Sequence, residues 1–183
     1  MITVDVTPMY RVLCHATFDL PSPLPLAWGQ LRDFRRFAAQ DFFHAAVRVD
    51  PPGVRRGARL EIDHRFGPFS STRVGRILQW RENHGYSFSD LSPRGPRRAF
   101  PHIYRYRLRP LDPNRCQVEI TIAGLWTSTF IPRPVVRLWL RWVFSHIVAS
   151  VHNALLETTT LRLRCGARQP GESTGKKGQP CRS

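Results

Sequence analysis

Along the middle of the chain, His64, Tyr86, Phe88, Asp90, His102, Tyr104 and Tyr106 recur at every second position of alternating runs, which puts them on the apolar side of their strands. An imidazole titrates near neutrality and can carry a proton, while a phenol can hydrogen-bond a carbonyl and polarise it. His64 and His102 as proton carriers, with Tyr104 or Tyr106 as the polarising hydroxyl, are therefore the candidate catalytic groups for an aldol cyclisation or a dehydration. The same residues also suit a binding pocket. His64, Trp80, Tyr86, Phe88, His102, Tyr104 and Tyr106, joined by Trp142 and His146 from a later helix, would give aromatic walls with a few polar groups to orient a ligand.

Other chemistries lack their residues. His64, His102 and His146 lie on separate elements with no close-spaced partner ligand, so no metal site is expected. The serines 70, 71, 87, 89 and 92 sit outside any Gly-x-Ser-x-Gly elbow, and there is neither a Gly-rich phosphate loop nor a dinucleotide fingerprint. No cofactor is expected. Cys14, Cys116, Cys165 and Cys181 are far apart, with no Cys-x-x-Cys, and read as reduced thiols of a cytoplasmic protein. The opening MITVDVTPMYRVLCHATF has no basic region followed by an apolar one, so it does not read as a signal peptide.

Charge is the unusual number. The chain of 183 residues carries 28 basic against 13 acidic side chains, a formal +15, and its only lysines are Lys176 and Lys177. Arginine-rich coding from a GC-rich, bacterial type of genome explains this better than a polyanionic partner does, because no cluster-type motif accompanies the charge. The sharper signal is Arg133, Arg137 and Arg141, spaced by four at the start of a helix beside Trp139 and Trp142. Cations at a helix N-terminus oppose the helix dipole, so this stripe is the candidate contact for an anionic membrane surface. In HIYRYRL the tyrosines and arginines fall on opposite faces of a strand, so a nucleic-acid platform is not expected.

These residues need elements to hold them. Residues 10–19 read as a strand, and Ser22-Pro23 as a capping residue followed by proline, opening two short helices up to about Ala39. From about His44 to Leu125 the period is two, with turns at PPGVRRG, Phe66-Gly-Pro-Phe69, Glu82-Asn-His-Gly85, SPRGPRRAFP and LDPNR, giving about six strands joined as hairpins. After Ile131-Pro-Arg-Pro134 the period becomes helical for about 30 residues, roughly 45 Å. Its window Leu138–Leu156 holds Arg141, His146, His152 and Asn153, which argues against a membrane span. Residues 167–183 lack any large apolar group and read as a disordered basic tail, leaving residues 1–166 as one domain. The class is α+β: a curved antiparallel sheet of about seven strands wrapped around a long C-terminal helix, with a cavity where one helix cannot fill the sheet.

The pattern resembles the START-like, or SRPBCC, superfamily, which includes polyketide cyclase/dehydrase, lipid-transport and coenzyme Q-binding families. The residues that carry the resemblance are the first strand, Ser22-Pro23 with Leu26-Ala27-Trp28 and Leu31-Arg32-Asp33-Phe34, the Gly53 to Gly57 turn into ARLEIDHRF, and the last helix through Asn153-Ala154-Leu155-Leu156. It covers about residues 8–163. The resemblance implies a helix-grip fold whose deep pocket takes a lipid, polyketide, isoprenoid or similar hydrophobic molecule. It supplies no universal catalytic motif, so it assigns no active-site residue. A carrier or binding protein is the expected function, with a polyketide-type cyclase or dehydratase as one alternative. The other is a protein of anionic membranes or, after a ribosome-associated branch of the superfamily, of RNA.

Overall fold

The computed structural model describes residues 1–39, 43–51, 53–91 and 100–166, with the backbone alone at residues 66, 69 and 158–166. The segments 92–99 and 167–183, read above as a polar loop and a disordered tail, lie outside the described residues. Alternation of apolar and polar side chains builds eight strands: β1 (Ile2–Val6), β2 (Arg11–Leu20), β3 (His44–Val49), β4 (Arg59–Phe66), β5 (Phe69–Arg81), β6 (Gly85–Asp90), β7 (His102–Asp112) and β8 (Arg115–Leu125). They form one antiparallel sheet in the order β1-β2-β8-β7-β6-β5-β4-β3. The strand beyond the expected seven is β1, whose Ile2 and Val4 face Ala16 and Cys14 of β2.

Two short helices, α1 (Leu24–Leu31) and α2 (Phe34–Ala38), link β2 to β3. The expected cap at Ser22 is not made: Pro23 occupies the N-cap position without a side-chain bond, and the Ser22 hydroxyl is buried against the carbonyl of Pro23. Asp33 does cap α2, accepting the backbone N–H of Arg36 at 3.3 Å. The long helix α3 (Arg133–Gly166) is 34 residues, about 51 Å at 1.5 Å per residue. Its buried stripe, Val136, Leu140, Val143, Phe144, Ile147, Val151 and Leu155, follows the helical period and packs on β1, β2 and α1.

The sheet's dry face points into this grip. Leu60 and Ile62 of β4, Tyr104, Tyr106 and Leu108 of β7, and Val118, Ile120 and Ile122 of β8 are all buried. The intervening Arg107 and Arg109 are exposed. As the alternation of HIYRYRL requires, its tyrosines and arginines are on opposite sides of the sheet.

Two bulges break the simple period. One lies between His44 and Ala46, the other between Ile77 and Gln79. Each adds a residue, so the side chain beyond it changes face. Thus His44 is buried along with Val47 and Val49, and Trp80 packs against the core with Ile77.

Candidate functional site

The interior is aromatic from one end to the other. Trp28 meets Trp80 with ring centroids 5.3 Å apart, Trp80 stacks on Tyr86 at 5.3 Å, and Tyr86 meets Tyr106 at 5.1 Å. Phe34 of α2 sets its edge on both Tyr86 and Phe88, and Phe88 stacks on Tyr104 at 4.9 Å. Tyr86 is buried, and its hydroxyl has no hydrogen-bond partner among the described residues. Burial pushes this phenol well above its ordinary range.

Beyond Tyr104 the wall becomes polar. Asp90, the last residue of β6, is completely buried, and four cationic or imidazole side chains converge on its Oδ2. His64 Nε2 lies 2.8 Å from it, His102 Nε2 3.4 Å, Arg73 3.4 Å and His44 Nε2 3.7 Å. Register explains the convergence, since Asp90 is paired with His102 across β6–β7, and His64 with His44 across β3–β4. Arg73 also donates to the carbonyl of Phe100 at 3.1 Å. Burial by itself would raise the Asp90 carboxyl. Hydrogen bonds from His44 and His64 and the charges of His102 and His64 instead hold it far below the usual carboxylate range.

An aromatic chain closes this end. Phe100 stacks on His102 at 4.7 Å and meets Trp126, which meets Trp139 of α3, and Trp139 stacks on Phe43 at 5.6 Å. Gly124 lets the chain lie so close: a Cβ there would fall 2.6 Å from the Pro101 carbonyl oxygen and 2.7 Å from His102 Cβ. Chemically, the site offers a desolvated carboxylate with proton-carrying imidazoles, held against an apolar interior.

Of the residues named from sequence, the fold brings His64, Phe88, Asp90, His102 and Tyr104 to this end, and Trp80, Tyr86 and Tyr106 to the other. Trp142 and His146 are not part of it. They are exposed on α3 and pack on each other at 4.5 Å, because the buried stripe runs through Leu140, Val143 and Ile147 and leaves them on the flank. Sequence reasoning missed His44 and Arg73. Nothing in HAAVRV reveals the bulge that turns His44 inward, whereas Arg73 shares its parity with the buried Ile77 and was open to the same alternation argument. The third histidine of the cluster is thus His44, in place of His146. Arg133, Arg137 and Arg141 are all exposed on the first turns of α3, with Arg137 3.9 Å from Asp5.

A curved antiparallel sheet gripping a long C-terminal helix around such an interior is the START-like, SRPBCC-type helix-grip fold. Solved structures share it across most of the chain. The Zhui aromatase/cyclase from Streptomyces sp. R1128 matches 86% of this chain and 98% of its own, at TM-score 0.64 and 16% identity. The di-domain ARO/CYC StfQ of the steffimycin biosynthetic pathway matches 84% of this chain and 52% of its own, at TM-score 0.65 and 10% identity. Ara h 8.0201 matches 80% and 99%, at TM-score 0.59 and 11% identity. No family model and no curated protein matches the sequence. Among the described residues, no helix is long and apolar enough to cross a membrane.

Proposed function

We propose that this chain binds a hydrophobic small molecule between the curved sheet and α3 and holds a polar group of that ligand at the Asp90 end. The observation that carries the reading is the placement of one desolvated carboxylate, with its imidazoles and Arg73, at the end of an interior otherwise built from aromatic and aliphatic side chains. Convergent polar groups on apolar walls are the signature of a small-molecule site. The buried hydroxyl of Tyr86 is a further group that a bound carbonyl or hydroxyl would satisfy. The buried free thiols Cys14 and Cys116 suit a reducing, cytoplasmic setting. Native mass spectrometry of the full chain, purified without detergent, tests the reading together with organic extraction. A discrete mass of a few hundred daltons released on denaturation is expected. A chain that binds no member of a panel of lipids, polyketides and isoprenoids would overturn it.

The 2.8 Å contact of His64 with Asp90 favours a second reading, a cyclase or dehydratase acting on a polyketide-like substrate. Here His64, oriented by Asp90, moves the proton and Tyr104 lies near the substrate carbonyl. Full turnover in a folded His64→Ala variant that still binds ligand would exclude that mechanism.

The exterior of α3 supports a membrane-surface contact for loading or release. Leu138 of α3 and Phe130 just before the helix are 69% and 81% exposed, close in sequence to Arg133, Arg137, Arg141 and Trp142. Apolar groups beside arginines match an anionic bilayer surface, in which the rings sit among headgroups and the guanidinium groups meet phosphate.

A further inference from the structure

The three histidines around Asp90 share a geometry that ligand binding does not require. In each, Nδ1 lies against a backbone carbonyl: Ala38 for His44 at 2.6 Å, Ile62 for His64 at 3.2 Å and Phe100 for His102 at 2.6 Å. A carbonyl oxygen only accepts, so Nδ1 is the protonated nitrogen in all three rings. That leaves Nε2 as the atom each ring presents inward, and all three Nε2 atoms lie within 3.7 Å of Asp90 Oδ2.

With Nδ1 of each ring turned to a carbonyl, a cation held beside the carboxylate would meet Nε2 as a ligand atom. Imidazoles anchored through one nitrogen to backbone carbonyls, with the other presented to a shared point, are the outer-shell pattern of metal-binding histidines.

We propose that His44, His64 and Asp90, with His102 beside them, form a site for a divalent first-row transition ion of the zinc type. Imidazole with one carboxylate, and no thiolate, selects zinc, cobalt or iron over calcium or magnesium. The candidate ligand atoms of His44, His64 and Asp90 lie within 4.8 Å of one another. Around a tetrahedral zinc with bonds of about 2.0–2.1 Å, ligand atoms stand about 3.3–3.5 Å apart. The spacing of His44 from Oδ2, 3.7 Å, is close to this, His64 at 2.8 Å has to withdraw slightly, and the 4.8 Å spread of the three has to contract around the ion. The second oxygen, Asp90 Oδ1, is buried and accepts no hydrogen bond among the described residues, leaving it for the ion or a water on it. Arg73 remains the outer partner of the carboxylate, and its charge lowers the affinity below that of the same ligands alone. The site uses the cluster invoked for ligand binding, but its test is independent of any organic ligand.

The full chain, stripped with a chelator, is titrated with cobalt(II) and followed by visible absorption, then back-titrated with zinc. One equivalent of cobalt with the intense visible band of four-coordinate geometry is expected, displaced by one equivalent of zinc. His44→Gln and His64→Gln should each weaken binding at least tenfold, while His84→Gln and the Cys165→Ser/Cys181→Ser variant should bind as the parent does. Zinc should also raise the thermal midpoint of the unsubstituted chain, a readout that survives if a variant fails to fold. No cobalt band and no zinc-dependent midpoint shift in the unsubstituted chain would overturn the site. So would unchanged stoichiometry in folded His64→Gln, or loss of binding in the double cysteine variant. A missing organic ligand would leave the metal result untouched.

Discussion

His64 Nε2 and the Asp90 carboxylate meet at 2.8 Å with side chains 3% and 0% exposed, although 25 residues and two hairpins lie between them. Pairs this dry are asymmetric in their energetics: removing one member strands the charge of the others. Asp90→Ala leaves Arg73 without its buried carboxylate and should cost about 3 kcal/mol, with Asp90→Asn losing less because the amide still accepts hydrogen bonds. Urea midpoints measure both. An Asp90→Ala midpoint equal to that of the parent would mean that the cluster is solvated rather than buried.

Tyr86 invites the opposite substitution. Its hydroxyl has no hydrogen-bond partner among the described residues, so Tyr86→Phe removes a desolvated polar atom and keeps the stack on Trp80. Stability should stay level or rise by about 1 kcal/mol, while affinity for a ligand that uses the hydroxyl falls. By contrast, Phe88→Ala opens a cavity beneath Tyr104 and should destabilise by about 3–5 kcal/mol. Thermal melts of the two variants, run with and without extracted ligand, separate the binding role of Tyr86 from the packing role of Phe88.

For the exterior of α3, the expected outcome is co-sedimentation with vesicles rich in anionic lipid, falling as salt rises from low to physiological strength. Arg137→Ala/Arg141→Ala should reduce the bound fraction at least fivefold. Leu138→Glu, which keeps the arginines but spoils the apolar part, should reduce it too. Equal binding by the arginine variant would remove the membrane contact from the proposed function.

The buried thiols give a test in the alkaline range. Burial first, then the negative charge of Asp5, pushes Cys14 up to about 12, and burial with Asp19 pushes Cys116 up to about 11. An unfolded thiol titrates near 8.5, so between that value and 11 the unfolded chain releases protons that the native chain keeps. Stability from these groups is therefore whole below about pH 8.5 and is lost as the pH rises. Cys14→Ala should flatten that alkaline decline. Peptide mapping after alkylation at pH 8 should find Cys14 and Cys116 unmodified in the native chain and labelled in urea.

Most of the architecture was legible because strand faces obey parity, and His64, Tyr104 and Tyr106 fell where parity put them. The departures have local causes. β1 was overlooked because Ile2, Val4 and Val6 make only a short alternating run, convincing only once β2 lies beside it. His44 depends on a bulge, which parity cannot foresee. Arg73 was passed over through its residue type, since a charged side chain reads as solvent-facing until a buried carboxylate is known to wait for it. Trp142 and His146 were placed inside by their composition, whereas the stripe through Leu140, Val143 and Ile147 sends them outward.

The strand order has a consequence for how the protein is made. β2 pairs with β8, from Arg11 against Leu125 to Leu20 against Cys116, a loop of about a hundred residues to close before either strand is satisfied. At roughly 5–20 residues per second, a ribosome needs on the order of ten seconds to supply the missing partner. Until then, nascent β2 has only the hairpin with β1 to occupy its edge. β3 to β7 meanwhile emerge in the order in which they pair, so the histidine–aspartate cluster can assemble before the sheet around the N-terminal hairpin is complete.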